Sequence, residues 1–282
     1  MSQTISPHLA RSWLLVPASQ PELFDIAQQS RADAVIIDVE DAVAANEKQQ
    51  ARKDTVEWLN SGHRAWVRIN DASSDFWSED CAALSKAEGL EGVMLAKSEG
   101  RSHLSDTADR LPQGTRILAL VETARGIEHV EEIAHSNETF RIAFGTGDFR
   151  RDTATGDSEL ALAYARSRMV IASRAARLPA PIDGPTLNRD KLLQGTQHAR
   201  DMGMGGKLCL NHEHTGIIND SLAPSHEDIG WAHGFIKAFE ASGGAITDGS
   251  DLPRLARAQR VVQQAADFRI HVDAAEVGHN DY

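Results

Sequence analysis

RILALVETARGIEHVEEIAHSNETFRIAFGTGD, residues 116–148, decides the fold. It opens on a nearly continuous apolar run of strand length, RILALV. It then passes through a segment that sets Ile127, Val130, Ile133 and Ala134 on one stripe at helical spacing, and closes on a second apolar run, RIAF. Apolar runs of this kind mark strands buried on both faces of a parallel sheet. The stripe marks a helix that covers one of those faces. Each strand is followed by an acid, Glu122 after the first and Asp148 after the second.

Outward from this stretch the unit repeats. SWLLVP (12–17), AVIIDVE (34–40), AWVRIN (65–70), GVMLAK (92–97), APIDG (180–184) and GKLCLN (206–211) join RILALVE (116–122) and RIAFGTGD (141–148) as eight expected strands. The seventh is weak, because Pro179 and Pro181 flank a single alanine. Helical segments fall between the runs. Pro21 suits the first turn of one that buries Leu23, Ile26 and Ala27. Asn46 can cap the next, with Gly62 after its end, and Asn188 can cap NRDKLLQGTQHARDMG.

Eight βα units within about 200 residues predict an α/β fold, a (β/α)8 TIM barrel. The open dinucleotide-binding sheet is disfavoured, since no G-x-G-x-x-G follows the first run. The barrel is expected over residues 1–215, with a C-terminal helical extension over 216–282. In the extension a loop, INDSLAPS, precedes the helical segments HEDIGWAHGFIKAFEAS and PRLARAQRVVQQAADF, with GGAITDGSD between them and a mobile tail near DAAEVGHNDY.

The 282 residues carry a net charge of −12, with 41% hydrophobic and 25% charged residues. That surface repels nucleic-acid phosphates and anionic membranes. A small anionic substrate would need local positive charge, so an arginine or a metal at a pocket gains weight. Cys81 and Cys209 form no C-x-x-C pair and read as structural thiols in a reducing compartment. MSQTISPHLARSW lacks an apolar signal core and no apolar stretch has spanning length, so a soluble cytoplasmic protein is expected.

In a parallel barrel the reactive groups collect at the C-terminal strand ends. The expected strands end on Glu40 and Asp41, Arg68 and Asn70, Lys97, Glu122, Asp148, Asp183, and Asn211 with His212. Glu122 and Asp148 offer two hard oxygen ligands, the way Mg²⁺ is held when waters and substrate complete its shell. Singly, each acid also reads as the cap of the helix behind it. Arg68 can grip a planar carboxylate bidentately, or form an internal salt bridge to Glu40 or Asp41. Those two acids can instead bind metal-bound water or relay a proton, and alternation along a strand keeps them from both facing the pocket. Lys97 can be read as a Schiff-base nucleophile or as an electrostatic group. The histidines form no H-E-x-x-H helix, and Asn211-His212-Glu213-His214 is a weak zinc candidate.

RSWLLVPAS, ADAVIIDVEDAV, WVRIN, EGVMLAKSE, LALVETARGI, RIAFGTGDF and GGKLCLNHE, in that order over about residues 11–260, resemble the citrate lyase β-subunit-like proteins of the HpcH/HpaI aldolase/citrate lyase family. The resemblance implies Mg²⁺ held by Glu122 and Asp148, and Arg68 with Glu122 on a 2-oxo acid. It also implies thioesters of coenzyme A or acyl carrier protein, and a homotrimer or hexamer. In related members an Asp of the C-terminal segment reaches a neighbouring subunit's site; Asp251 or Asp248 occupies that region here. The chain departs from the pattern in several places. Leu210-Asn211-His212-Glu213-His214 replaces I-H-P-x-Q, Ala18 replaces a glycine, DGSD shortens D-G-x-M-x-D, and no proline precedes Lys97.

The implied activity is a Mg²⁺-dependent carbon–carbon lyase that cleaves or forms a 3-hydroxyacyl thioester of the citryl, malyl or citramalyl type. Two readings compete with it: an aldolase on free hydroxy-oxo acids, and a non-catalytic oxo-acid-binding subunit.

Overall fold

A computed structural model describes residues 5–270. Its strands are β1 (Ser12–Pro17), β2 (Ala34–Asp38), β3 (Ala65–Ile69), β4 (Leu90–Leu95), β5 (Arg116–Val121), β6 (Thr139–Phe144), β7 (Ile182–Asp183) and β8 (Gly206–Cys209). They pair in parallel, each with the next in sequence, and β8 closes on β1. The expected (β/α)8 barrel is the observed one. The weak seventh run forms only a two-residue strand, yet it bridges Ala143 on one side to Gly206 and Lys207 on the other.

The helices begin with α1 (Phe24–Gln28), α2 (Lys48–Asn60), α3 (Asp75–Leu84), α4 (Arg101–Ala108), α5 (Ala124–Glu128) and α6 (Val130–Ala134). They continue with α7 (Thr146–Thr153), α8 (Glu159–Ala175), α9 (Leu192–Asp201), α10 (His214–Leu222), α11 (His226–Ala241) and α12 (Asp251–Asp267). The stripe of Ile127, Val130, Ile133 and Ala134 is buried as expected, but its helix breaks at His129 into α5 and α6. Pro21 opens a single 3-10 turn before α1, which buries Phe24 and Ala27 and leaves Ile26 47% exposed, contrary to expectation. Asn46 does not cap α2, whose N-cap position is Glu47. Asn188 caps as expected, its side chain accepting from the Asp190 amide.

Residues on alternate positions of each strand point into the barrel. Trp13, Leu15, Ile36, Trp66, Met94, Leu118, Leu120, Ala143, Ile182 and Leu208 fill it as one buried cluster. Trp13 and Trp66 meet edge to face at 5.3 Å, and Gly92 leaves room for the second ring, since a Cβ there would lie 2.4 Å from it. Arg141 closes the N-terminal end. Fully buried, it donates to the carbonyls of Ala10 at 2.8 Å and Ala180 at 2.6 Å. At the opposite end the same inward positions turn polar: Asp38 follows Ile36, Arg68 follows Trp66, and Glu122 follows Leu120. The apolar plug thus ends where charge begins.

The chain divides into two compact units, residues 6–219 with the barrel, and a second that contains residues 220–270. In the second unit α11 and α12 pack together. The Arg254 and Arg257 guanidinium groups lie over the rings of Phe235 and Trp231 at 4.7 and 4.8 Å. INDSLAPS is not the loop expected, because α10 continues through Leu222. DAAEVGHNDY lies outside the described residues. Among the described residues no helix is long and apolar enough to cross a membrane.

Candidate active site

Parallel pairing sets Asp38 of β2 directly beside Arg68 of β3. Both point inward, so the guanidinium meets the carboxylate side by side. Arg68 Nε donates to Asp38 Oδ1 at 2.7 Å and Nη2 to Asp38 Oδ2 at 2.5 Å. Its Nη1 lies 3.2 Å from Glu40 Oε2. Of the two readings of Arg68, the expected internal salt bridge to Glu40 is present, and Asp38, which the strand-end pattern did not single out, adds the two-pronged grip. The guanidinium is pinned by an internal carboxylate, and that carboxylate is Asp38. Because Asp38 uses one edge of the planar group, hydrogens on Nη1 and Nη2 are left for a further acceptor.

Glu40 and Asp41 diverge as alternation requires, Glu40 buried and Asp41 exposed. Burial pushes the Glu40 carboxyl up to about 7, opposed by Arg68 and reinforced by Asp41 and Asp38. Its Oε1 is 3.5 Å from Lys97 Nζ, which also lies 3.6 Å from Asp71 Oδ2. Lys97 is therefore an ion-paired amine, which counts against the Schiff-base reading, since an amine nucleophile must be neutral.

Glu122 follows β5 and is buried. Its Oε1 accepts from the Lys97 backbone N–H at 2.9 Å. Its Oε2 occupies the space of an absent side chain: a Cβ on Gly145 would lie 2.2 Å from it. Glu122 does not cap α5, because Thr123 does, accepting from the Gly126 amide at 3.0 Å. Burial raises the Glu122 carboxyl to about 8, with Glu40 and Asp148 adding their repulsion and the Lys97 amide and Arg68 opposing.

Asp148 does not end a strand as expected; it stands four residues past the end of β6. β6 stops at Phe144, Gly145 turns the chain, and Asp148 lies in the first turn of α7. Its Oδ2 is buried without an aligned hydrogen bond, although Arg151 Nη2 approaches to 3.0 Å. A buried carboxylate oxygen lacking a proper donor, next to a second buried carboxylate that is charged only at a cost, is a donor set suited to a hard divalent cation. The pair fits that ion through its charge, its oxygen chemistry and the clearance at Gly145.

Asp183 does not join the mouth. It is fully buried, where Lys207 Nζ reaches it at 2.7 Å and Arg166 Nε at 2.8 Å. Burial would raise its carboxyl, but Lys207 and Arg166 hold it below the ordinary carboxylate range. Its strand position points it away from the barrel axis, toward those two cations. Cys81 and Cys209 are buried free thiols, both pushed up to about 12 by burial. Among the described residues no group of three or more His, Cys, Asp or Glu is arranged to hold a metal.

Asp251 belongs to the second unit. Its Oδ2 accepts from the Thr247 amide and hydroxyl, each at 2.7 Å, and from the Asp248 amide at 3.1 Å. Those bonds hold its carboxyl below the ordinary range. Asp248 accepts from the Ser250 amide at 2.6 Å.

Two participants were not singled out from sequence, Asp38 and Asp71. Asp38 lay inside a run read as strand. Counting back in twos from Glu40 would have set it on the same face, across from Arg68. Asp71 carried no sequence signal, because it stands past the end of β3 in an ordinary Asx turn to Ser73.

Residues 11–212 match the HpcH/HpaI aldolase/citrate lyase family, and residues 227–269 match the HpcH/HpaI aldolase C-terminal domain. The chain is 30% identical over 262 residues to a (3S)-malyl-CoA thioesterase of Cereibacter sphaeroides, covering 88% of this chain and 91% of that one. It is 30% identical over 296 residues to the mitochondrial citramalyl-CoA lyase of Homo sapiens, covering 92% and 86%. Among solved structures, CitE of Mycobacterium tuberculosis in complex with magnesium, acetoacetate and coenzyme A superposes with a TM-score of 0.78 at 27% identity, covering 92% of this chain and 99% of that one.

Proposed function

The chain belongs to the HpcH/HpaI aldolase/citrate lyase family, and on that premise we propose that it is a Mg²⁺-dependent carbon–carbon lyase acting on a 3-hydroxyacyl thioester. The products would be an acyl thioester and a 2-oxo acid, with the reverse condensation equally accessible. The observation that carries this reading is the buried Glu122 carboxylate, seated in the clearance of Gly145 beside the under-bonded Asp148.

Glu122 and Asp148 would hold Mg²⁺, which when bound supplies Lewis-acid polarisation of the oxygens on the carbon that becomes the oxo group. Arg68 grips the adjacent carboxylate with the hydrogens Asp38 leaves it. The cleavage needs the hydroxyl proton removed. Glu40, poised near 7 and buried beside Arg68, is the acid–base group suited to take it. The broken bond leaves its electron pair on the thioester α-carbon, which must then gain a proton. We assign that proton exchange to Asp251, or Asp248 in its place, from a neighbouring copy in a homotrimer or hexamer: in condensation its carboxylate takes the α-proton, and in cleavage a proton from solvent returns to that carbon through the same group while Glu40 releases its own to solvent. Asp251 is an ionised acceptor in this chain, so it acts most directly as the base of the condensation direction. Asp41, exposed beside Glu40, contributes negative potential at the rim.

The test is to incubate the enzyme and Mg²⁺ with citramalyl-, malyl- and citryl-CoA, and separately with the free acids, and to assay acyl-CoA and oxo acid together. Cleavage of a thioester that is lost in Glu122→Ala and Asp148→Ala supports the reading; full turnover in both variants would sink it. The malyl-CoA thioesterase relative favours a second outcome, release of free CoA and an intact hydroxy acid. That result would reassign the reaction to thioester hydrolysis while leaving the metal site in place.

A further inference from the structure

The Lys97 ammonium stands where the mouth has its second concentration of carboxylate oxygen. Its Nζ lies 3.5 Å from Glu40 Oε1 and 3.6 Å from Asp71 Oδ2. Both separations are longer than an N–H···O hydrogen bond, so the amine works as a point charge between two acids. Of the other oxygens of these acids, Glu40 Oε2 is buried 3.2 Å from Arg68 Nη1 without an aligned hydrogen bond, and Asp71 Oδ1 accepts from the Ser73 amide at 3.1 Å and from its hydroxyl. Without the amine, two hard oxygens would remain uncompensated, on a carboxylate that is buried and one that is half-buried. That is the donor type divalent cations take.

The backbone explains why the amine stays there. Ala96 and Ser98 are fully buried on either side, and the Ser98 amide donates to the Leu120 carbonyl at 2.9 Å. Lys97 between them adopts φ +43°, in the left-handed region. A non-glycine residue there is strained. Glycine would remove that strain and still donate its N–H to Glu122. The position therefore carries lysine for its charge, at the expense of backbone comfort.

We infer that Lys97 is a tethered counter-ion that occupies a second cation position between Glu40 and Asp71, and so limits the mouth to one exchangeable divalent ion at Glu122 and Asp148. The inference rests on the metal-site reading given above. Its consequence is specificity for chemistry at a single cation: a two-metal arrangement clamps both the attacking and the leaving oxygen of a displacement, which a retro-aldol cleavage does not require. It also keeps Glu40 from becoming a metal ligand, so that its carboxyl is left to exchange a proton.

The experiment counts Mn²⁺ bound to the full chain by electron paramagnetic resonance of the free ion, with calorimetry in parallel. The wild-type chain is expected to bind one ion, Lys97→Arg one, and Lys97→Met two. Lys97→Gly is the second variant, because it keeps the N–H to Glu122, relaxes the backbone and removes the amine; it too should bind two. Adding Glu122→Gln to Lys97→Met should return the count to one. A single ion in both Lys97→Met and Lys97→Gly, at whatever affinity, overturns the inference and leaves the Glu122–Asp148 site standing. Two ions in the wild-type chain overturn it as well. No ion in the wild-type chain overturns the metal site itself, and this inference with it.

Discussion

Gly145 and Glu122 share one space: the missing side chain of the first is filled by the carboxylate of the second, with an added Cβ only 2.2 Å from Oε2. The turn that ends β6 thereby fixes a carboxylate delivered by β5. The next three residues begin α7 and bring Asp148. One glycine thus couples the placements of both candidate metal ligands.

Gly145→Ala should displace Glu122 while the barrel stays folded. We expect Mg²⁺ affinity to fall by at least about tenfold, a loss of about 1.4 kcal/mol, with the circular dichroism spectrum unchanged. Calorimetric titration checks it, and wild-type affinity would refute the shared-space account.

Because burial raises Glu122 to about 8, the metal-free folded protein holds a proton that the unfolded chain, near 4.5, has released. The sign follows from linkage. Without metal, the contribution of this group to stability is fully present below about 4.5 and is lost as pH rises through about 8. Metal binding requires the carboxylate, so it should release protons and tighten from pH 6 to above 8. Calorimetry in buffers of different ionisation enthalpy measures the protons released; a count of zero at pH 7 would contradict it.

Asp38→Asn keeps the shape of the Arg68 partner and removes its charge. Charge-assisted hydrogen bonds contribute about 1.5–3 kcal/mol, so kcat/KM should drop roughly tenfold to a hundredfold as Arg68 loses its fixed orientation. Mg²⁺ affinity should move little. Arg68→Lys should be at least as damaging, because an ammonium cannot serve Asp38 and a substrate carboxylate through one planar group. Steady-state kinetics with the thioester cleaved by the wild type decides.

Lys207→Met leaves the fully buried Asp183 short of one partner. Breaking a buried ion pair costs about 3–5 kcal/mol, and Arg166 still serves Asp183, so the lower end is expected. Chemical denaturation gives the value. A loss below about 1 kcal/mol would show that the pair is not needed to close the barrel at its two-residue strand.

Asp251→Asn separates two roles. The amide oxygen can still accept from Thr247 and Asp248, so the start of α12 should hold and the melting temperature should change little. If Asp251 serves a neighbouring copy as the proton-exchanging group, turnover should fall by about 100-fold or more. Normal turnover would remove it from the mechanism.

Hydrophobic pattern alone carried the barrel, because strands buried on both faces are apolar in a way no loop is. The run at 12–17 became β1 with the expected residues, and the run at 116–122 became β5 but for its last residue, Glu122. Local chemistry carried the caps less well: Asn188 caps and Asn46 does not, since a cap depends on where the chain arrives as much as on the residue. Glu122 and Asp148 were paired on the rule that adjacent strands of a barrel end on one rim; Glu122 does follow β5, whereas Asp148 stands in the first turn of α7.

What the sequence by itself determined was therefore the order of elements and the rim on which the acids gather. Only the tertiary structure decided which of those charges meet. Asp183 turned out to serve Lys207 and Arg166, while Asp38 took hold of Arg68. Lys97 proved to sit between Glu40 and Asp71, which belong to different strand ends. Partners of this kind are set by the inward or outward turn of each strand position and by the register between strands. Both are fixed by closing the barrel, and neither is written in any single stretch of chain.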